Sequence, residues 1–193
     1  MHPYIEKPIW TYIFIIICTI MFVAQNLTKY WIYLAFFPAY AFEMPWTFIT
    51  SIFLHADIEH LLFNMIALFF FGLSLENIVG RRLFAIIFIL AGIFGNIGYL
   101  ITDPTSLIPG IGASGAIYGV VGTLVVLTPF RRVFLYGLFP IPLILLVFLW
   151  TIIDFAGLFS PSTVAHGAHL AGLFVGVLFG VYLRRYLVKV EYY

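Results

Sequence analysis

The chain has 193 residues, 64% of them hydrophobic and 9% charged, with a mean hydropathy of +1.13. Soluble domains carry roughly 25% charged residues, so this composition excludes an ordinary soluble domain and points to a polytopic membrane protein. A formal net charge of +1 gives no nucleic-acid footprint, and the single cysteine, Cys18, allows no intrachain disulfide.

A membrane span needs about 20 apolar residues. The first predicted span covers residues 9–24, and no small-x-small cleavage site follows it, so it reads as a retained span rather than a signal peptide. The next segment, 25–58, carries Trp31, Phe36, Phe37, Phe42, Trp46 and Phe48 and is broken by Pro38 and Pro45. Aromatic side chains favour the headgroup region, which predicts short helices lying in the outer interface. Further spans are expected at 59–79, 83–101, 114–128 (a short one), 133–155 and 166–187. The expected fold is therefore all-α: a single six-span domain over 1–193, with no internal repeat. Lys7, Arg81, Arg82, Arg131, Arg132, Arg184, Arg185 and Lys189 all fall at ends that face one side, and only Lys29 lies on the other. The positive-inside rule then puts both termini in the cytoplasm.

One passage differs from the rest. Gly110-Ile111-Gly112-Ala113-Ser114-Gly115 sets a hydroxyl on backbone that other atoms can approach, at the predicted start of the fourth span. Free N–H groups at a helix start can stabilise a developing negative charge. The passage fits a nucleophilic serine, and taken alone it equally fits a small-residue packing motif. Ser114 and Asn64 each precede an inner arginine (Arg131, Arg81) by 17 residues, and His169 precedes Arg184 by 15. At about 1.5 Å per residue the three polar groups lie roughly 22–25 Å above that boundary. That is one level, a little below the outer edge of a hydrocarbon core about 30 Å thick.

His169 is followed by Gly172, Gly176 and Gly180 on the same helix face, and Gly115, Gly119 and Gly122 give the fourth span a matching surface. Close packing of the two would bring an imidazole to the Ser114 hydroxyl as a general base. Tyr118, one turn below Ser114, is placed to pack on that imidazole. His60 and Asn64 share a face one turn apart and can donate hydrogen bonds; with the Ser114 N–H they would form an oxyanion hole. His166 and Gly112 are assigned supporting roles. No carboxylate is found at the right level to orient His169, so a Ser–His dyad is expected. Asp154 reads as a marker of the fifth span's outer end, and Glu76 as an ion pair or cap near Arg81 and Arg82. His55, Asp57, Glu59 and His60 are conceivable metal ligands, but no His-Glu-x-x-His is present. No metal and no cofactor are expected.

Gly112-Ala113-Ser114-Gly115, His60-x-x-x-Asn64 and Ala168-His169-Leu170-Ala171-Gly172, in this order, resemble the rhomboid intramembrane serine proteases. The resemblance spans about residues 45–180 and implies Ser114 as nucleophile, His169 as base, His60 and Asn64 at the oxyanion hole, and Tyr118 stacked on the histidine. Trp46 resembles part of a Trp-Arg motif whose arginine is Thr47 here. The chain looks like a minimal prokaryotic form with six helices. The implied reaction is hydrolysis of a peptide bond in or near the transmembrane segment of a membrane-protein substrate, at a site opening to the extracytoplasmic side of the cell membrane. The implied partners are transmembrane substrates and the lipid bilayer, with no nucleic acid. The fifth span or the 157–165 loop would serve as the gate. The alternative is a catalytically silent relative that binds transmembrane helices; a small transporter would require paired repeats, which are absent.

Overall fold

An apolar chain without water around it satisfies its backbone within helices, and helices dominate residues 7–135 and 138–190, the part that the computed structural model describes. The side chains of Leu135 and residues 187–190, Lys189 among them, lie outside that description. The helices are α1 (Trp10–Leu27), α2 (Thr47–Thr50), α3 (Ile58–Ala67), α4 (Leu73–Val79), α5 (Arg81–Thr102), α6 (Ser114–Leu127), α7 (Leu143–Gly157) and α8 (His166–Val190). A π-turn over Leu68–Gly72 joins α3 to α4 in one continuous rod. Among the described residues four helices are long and apolar enough to cross a membrane: Trp10–Leu27, Ile58–Val79, Arg81–Thr102 and His166–Tyr186. Two shorter apolar helices, α6 and α7, accompany them.

Local chemistry sets the boundaries. Asp57 caps α3 through its side chain, which accepts from the His60 N–H at 2.8 Å. Gly80 ends α4 at a φ of 80°, a left-handed conformation that glycine takes without cost. The 28–57 segment holds 3-10 turns at Tyr30–Tyr33, Pro38–Tyr40 and Ser51–Phe53 besides α2, in keeping with the short helices expected there.

One expectation is corrected. Residues 133–142 do not begin the fifth span: Arg132–Leu135 (β1) and Phe139–Pro142 (β2) form an antiparallel hairpin, with Arg132 opposite Pro142 and Val133 opposite Ile141. Pro140 and Pro142 have no N–H to give a helix and drive the residues before them to extended backbone. Pro142 itself, at ψ 140°, is the residue from which α7 starts. Glu76 is a cap, one of the two roles expected of it, and the helix it caps is α1. Its fully buried carboxylate accepts from the N–H groups of Ile9 (2.7 Å), Trp10 (2.9 Å) and Thr11 (2.9 Å) and from the Thr11 hydroxyl (2.7 Å).

α5, α6 and α8 pack with their backbones almost touching. A Cβ at Gly172 or Gly176 would run into the carbonyl oxygens of Gly115 and Gly119, and one at Gly122 would lie 2.5 Å from the Leu173 oxygen. The Thr123 hydroxyl donates across the same seam to the Gly176 carbonyl at 3.0 Å. The first loop is tied to the segment before α6: the Gly110 N–H donates to the Phe36 carbonyl (2.7 Å) and the Gly112 N–H to the Ser51 carbonyl (3.0 Å). Asn96 of α5 holds the same loop through the Phe48 carbonyl and the Ser51 hydroxyl, both at 2.9 Å.

His55, in the turn before α3, is fully buried, and neither ring nitrogen has a hydrogen bond of normal geometry. Its backbone is held by Gln25. Burial pushes this imidazole down to about 3, and the neighbouring His60 adds to the effect.

Two outcomes follow from this packing. Gly176→Ala must force α6 and α8 apart, and it is expected to cost about 1–3 kcal/mol, read as a lower melting temperature in detergent. For His55 the unfolded imidazole titrates near 6.5 and the folded one near 3, so stability is full above pH 6.5. As the pH falls from 6.5 toward 3 the unfolded state takes up the proton first, and stability drops by on the order of a few kcal/mol. Melting curves at pH 7.5 and pH 5 are expected to show this loss in the unaltered chain and a smaller one in His55→Leu.

Candidate active site

Ser114 is the first residue of α6, and no side chain caps that helix. The first N–H groups of α6 are thus the unpaired ones of a helix start. Gly112 precedes it at a φ of 126°, and a Cβ there would lie 2.7–2.8 Å from Cε1 and Nε2 of His60. Glycine is required here both for the backbone conformation and for the approach of the His60 ring. A small cavity of about 30 Å³, large enough for a water molecule, is lined by Ser114, Gly112, Gly115, Asn96 and Ala168 among others.

His169 stands one turn into α8. Its Nε2 is 2.9 Å from the Ser114 Oγ. Tyr118 stacks on its ring, with centroids 4.3 Å apart and planes 9° apart, and Trp150 lies 5.5 Å from the other end of this pair, against Tyr118. His166, the first residue of α8, reaches Ser162 Oγ with Nε2 at 3.1 Å.

The expected absence of an orienting carboxylate is wrong. Asp154 does not merely mark the end of α7: it is buried, and its Oδ1 is 2.9 Å from His169 Nδ1 and 2.7 Å from His166 Nδ1. The reason is the antiparallel turn between α7 and α8. Asp154 lies three residues before Gly157 and His169 three residues after His166, so the two side chains sit at the same height beneath one loop. The arrangement around Ser114 is Ser–His–Asp in connectivity. With Asp154 accepting from Nδ1–H, the Nε2 lone pair of His169 is left facing the hydroxyl.

His60 and Asn64 lie on the neighbouring α3. The Ala56 N–H points to His60 Nδ1 at 3.4 Å, which leaves Nε2 to carry the ring proton beside the Gly112 backbone. Asn64 is buried; one of its amide hydrogens goes back to the His60 carbonyl at 2.8 Å, and the amide keeps a second donor. His55 and His60 are 5.2 Å apart between ring centroids. Among the described residues, however, the group whose ligand atoms converge is Asp154, His166 and His169 rather than the His55–His60 set singled out from the sequence. Trp46 donates to the Tyr33 carbonyl at 2.7 Å, and Thr47 is buried with its hydroxyl on the Met44 carbonyl at 2.6 Å.

Residues 43–186 match the family model described as the Rhomboid domain. The chain is 38% identical over 135 residues to YdcA of Bacillus subtilis (strain 168), covering 69% of this chain and 64% of that protein. It is 33% identical over 131 residues to the rhomboid protease GluP of the same organism, covering 68% of this chain and 24% of that one. It is 27% identical over 175 residues to the rhomboid protease GlpG of Salmonella paratyphi A (strain ATCC 9150 / SARB42), covering 86% of this chain and 60% of that one. The matched region thus spans 24% to 64% of these relatives' own lengths.

Proposed function

The chain belongs to the rhomboid family of multi-pass membrane proteins, and on that premise we propose that it is an intramembrane serine endopeptidase acting on the transmembrane segments of other membrane proteins. The observation that carries this reading is the 2.9 Å contact between Ser114 Oγ and His169 Nε2 inside an otherwise apolar helix cluster.

In this reading His169 Nε2 takes the Ser114 proton as Oγ attacks the scissile carbonyl. The new oxyanion is met by the Ser114 N–H at the start of α6, the free amide hydrogen of Asn64 and Nε2–H of His60. His169, now an imidazolium, is stabilised through Nδ1 by Asp154 and gives its proton to the leaving amine. Water then reverses the sequence on the acyl-enzyme and frees Ser114. Tyr118 keeps the imidazole plane fixed by stacking. Asp154 is a positioning residue, so the dyad read from the sequence becomes a serine and a histidine held by an acid.

α6 has 14 residues, about 21 Å of helix, against a hydrocarbon core about 30 Å thick. With its inner end near the Arg131 and Arg132 boundary, its first residue falls below the outer surface. That position gives the serine water without placing it outside. α1, the α3–α4 rod, α5, α6, α7 and α8 are the six spans of a single domain, with both termini cytoplasmic and the serine opening outward. A peptide bond in a helix is shielded, so the substrate must unwind locally, which glycine or proline near the cut would favour.

The test is cleavage of a transmembrane substrate by purified protein. Ser114→Ala and His169→Ala are each expected to lose on the order of 10⁴-fold or more in rate while melting normally. Comparable cutting by Ser114→Ala would sink the serine mechanism. Asp154→Asn is expected to lower kcat by about 10²-fold or more with little change in KM, because the acid acts on the transition state. Asn64→Ala is expected to slow turnover by about 10²-fold through loss of one donor.

A further inference from the structure

Asp154, His166 and His169 bring their ligand atoms within 4.8 Å of one another. We propose that this trio is a binding site for a transition-metal ion, Zn²⁺ being the one its donors suit, and that filling it silences the Ser114–His169 pair. The binding half stands on geometry alone; the silencing half rests on the protease reading above.

Donor chemistry comes first. Two imidazoles and one carboxylate form a set that suits Zn²⁺ and disfavours Mg²⁺ and Ca²⁺, which select oxygen. The distances are close to what such an ion needs. His166 Nδ1 and His169 Nδ1 are 2.7 and 2.9 Å from the same Asp154 oxygen. Zinc bonds of about 2.0–2.1 Å in tetrahedral array place donor atoms about 3.4 Å apart, so each ring nitrogen has to draw back from the Asp154 oxygen by roughly half an ångström or a little more, with all three donors already within 4.8 Å of one another. The fourth position is left for water.

Two further features mark the trio as more than a hydrogen-bonded knot. A zinc-bound histidine donates its other ring N–H to an acceptor that fixes the ring. Both rings already have that partner: Ser162 Oγ lies 3.1 Å from His166 Nε2, and Ser114 Oγ 2.9 Å from His169 Nε2. In addition, Asp154 Oδ2 is buried without a hydrogen bond of normal length, the Tyr118 hydroxyl acting on the carboxylate from further off. A cation beside that carboxylate would offset the cost of its unpaired oxygen. Residues 159–164 above the trio are exposed, so an ion reaches it from the outer face.

The consequence for the base is a change of tautomer. In the ion-free site His169 holds its proton on Nδ1, toward Asp154, and presents a lone pair to Ser114. A metal on Nδ1 takes the place of the proton there, and the ring's one proton moves to Nε2. The proton count on His169 is unchanged, yet Nε2–H now donates to the Ser114 hydroxyl and cannot accept from it. The serine loses its base without any movement of the helices.

The experiment uses the full chain in detergent, free of any polyhistidine tag. Co²⁺ is titrated in as a spectroscopic probe, and Zn²⁺ is used both to displace it and to inhibit cleavage. One Co²⁺ per chain with tetrahedral visible absorption is expected, bound in the micromolar range and displaced by Zn²⁺. His166→Ala and His166→Gln are each expected to weaken binding at least tenfold, their folding checked by melting. Zn²⁺ at the same concentrations should stop cleavage reversibly, a chelator should restore it, and Mg²⁺ should do neither. Binding absent up to millimolar metal, or undiminished in both His166 variants, overturns the site. Binding that depends on His166 while cleavage stays insensitive to Zn²⁺ overturns the silencing. A chain that binds metal through His166 yet never cuts any substrate leaves the site standing and removes the protease reading instead.

Discussion

Backbone lying directly on backbone is the constraint from which the site is built. α6 and α8 meet where glycine carbonyls of one helix occupy the space that a Cβ of the other would fill. Ser114 sits one residue before Gly115, and His169 three residues before Gly172, so one of the close backbone contacts of the seam lies beside the serine. A separation set by carbonyl against Cα is stiffer than one set by rotatable side chains. α5 joins the same seam: a Cβ at Gly95 would lie 3.1 Å from the Ala168 carbonyl. The hydroxyl–imidazole distance is therefore a property of helix spacing rather than of loop conformation.

Around this apolar frame the buried polar groups are nearly all spoken for. Asn96 fastens the first loop, Thr123 bonds across the α6–α8 seam, Tyr99 bonds Ser106 at 2.9 Å, and Glu76 serves α1. In a medium without water each such bond avoids the full desolvation penalty of the group. Two groups among the described residues depart from this economy: the His55 imidazole, beside His60, and one oxygen of Asp154, behind His169.

Much of this was legible in the sequence, and the rest was not for definable reasons. Hydropathy located the helices because a span is a matter of length and apolarity. It misplaced the start of α7 because Val133, Phe134 and Leu135 are as apolar in a strand as in a helix; only Pro140 and Pro142 carried the distinction. The common height of Ser114, Asn64 and His169 was measured from the inner arginines. That ruler was blind to Asp154, whose helix begins ten residues later than hydropathy suggested. Counting instead from the short outer turn puts Asp154 and His169 level. The ruler also treated the last residues before Arg131 as helical, whereas α6 ends at Leu127 and the Arg131 N–H closes a turn on Thr128. The π-turn at Leu68–Gly72 left no mark that periodicity could detect.

The carboxylate of Glu76 has a bearing on how the molecule comes together. It lies 67 residues beyond the first backbone group it serves. α1 is made first, and its opening N–H groups have no acceptor until α4 has followed it into the bilayer. Until then α4 carries an unsatisfied acid through an apolar medium. Each helix thus holds what the other lacks, and this pairing of α1 with α4 needs nothing from the glycine-rich helices that bear the serine and the histidine.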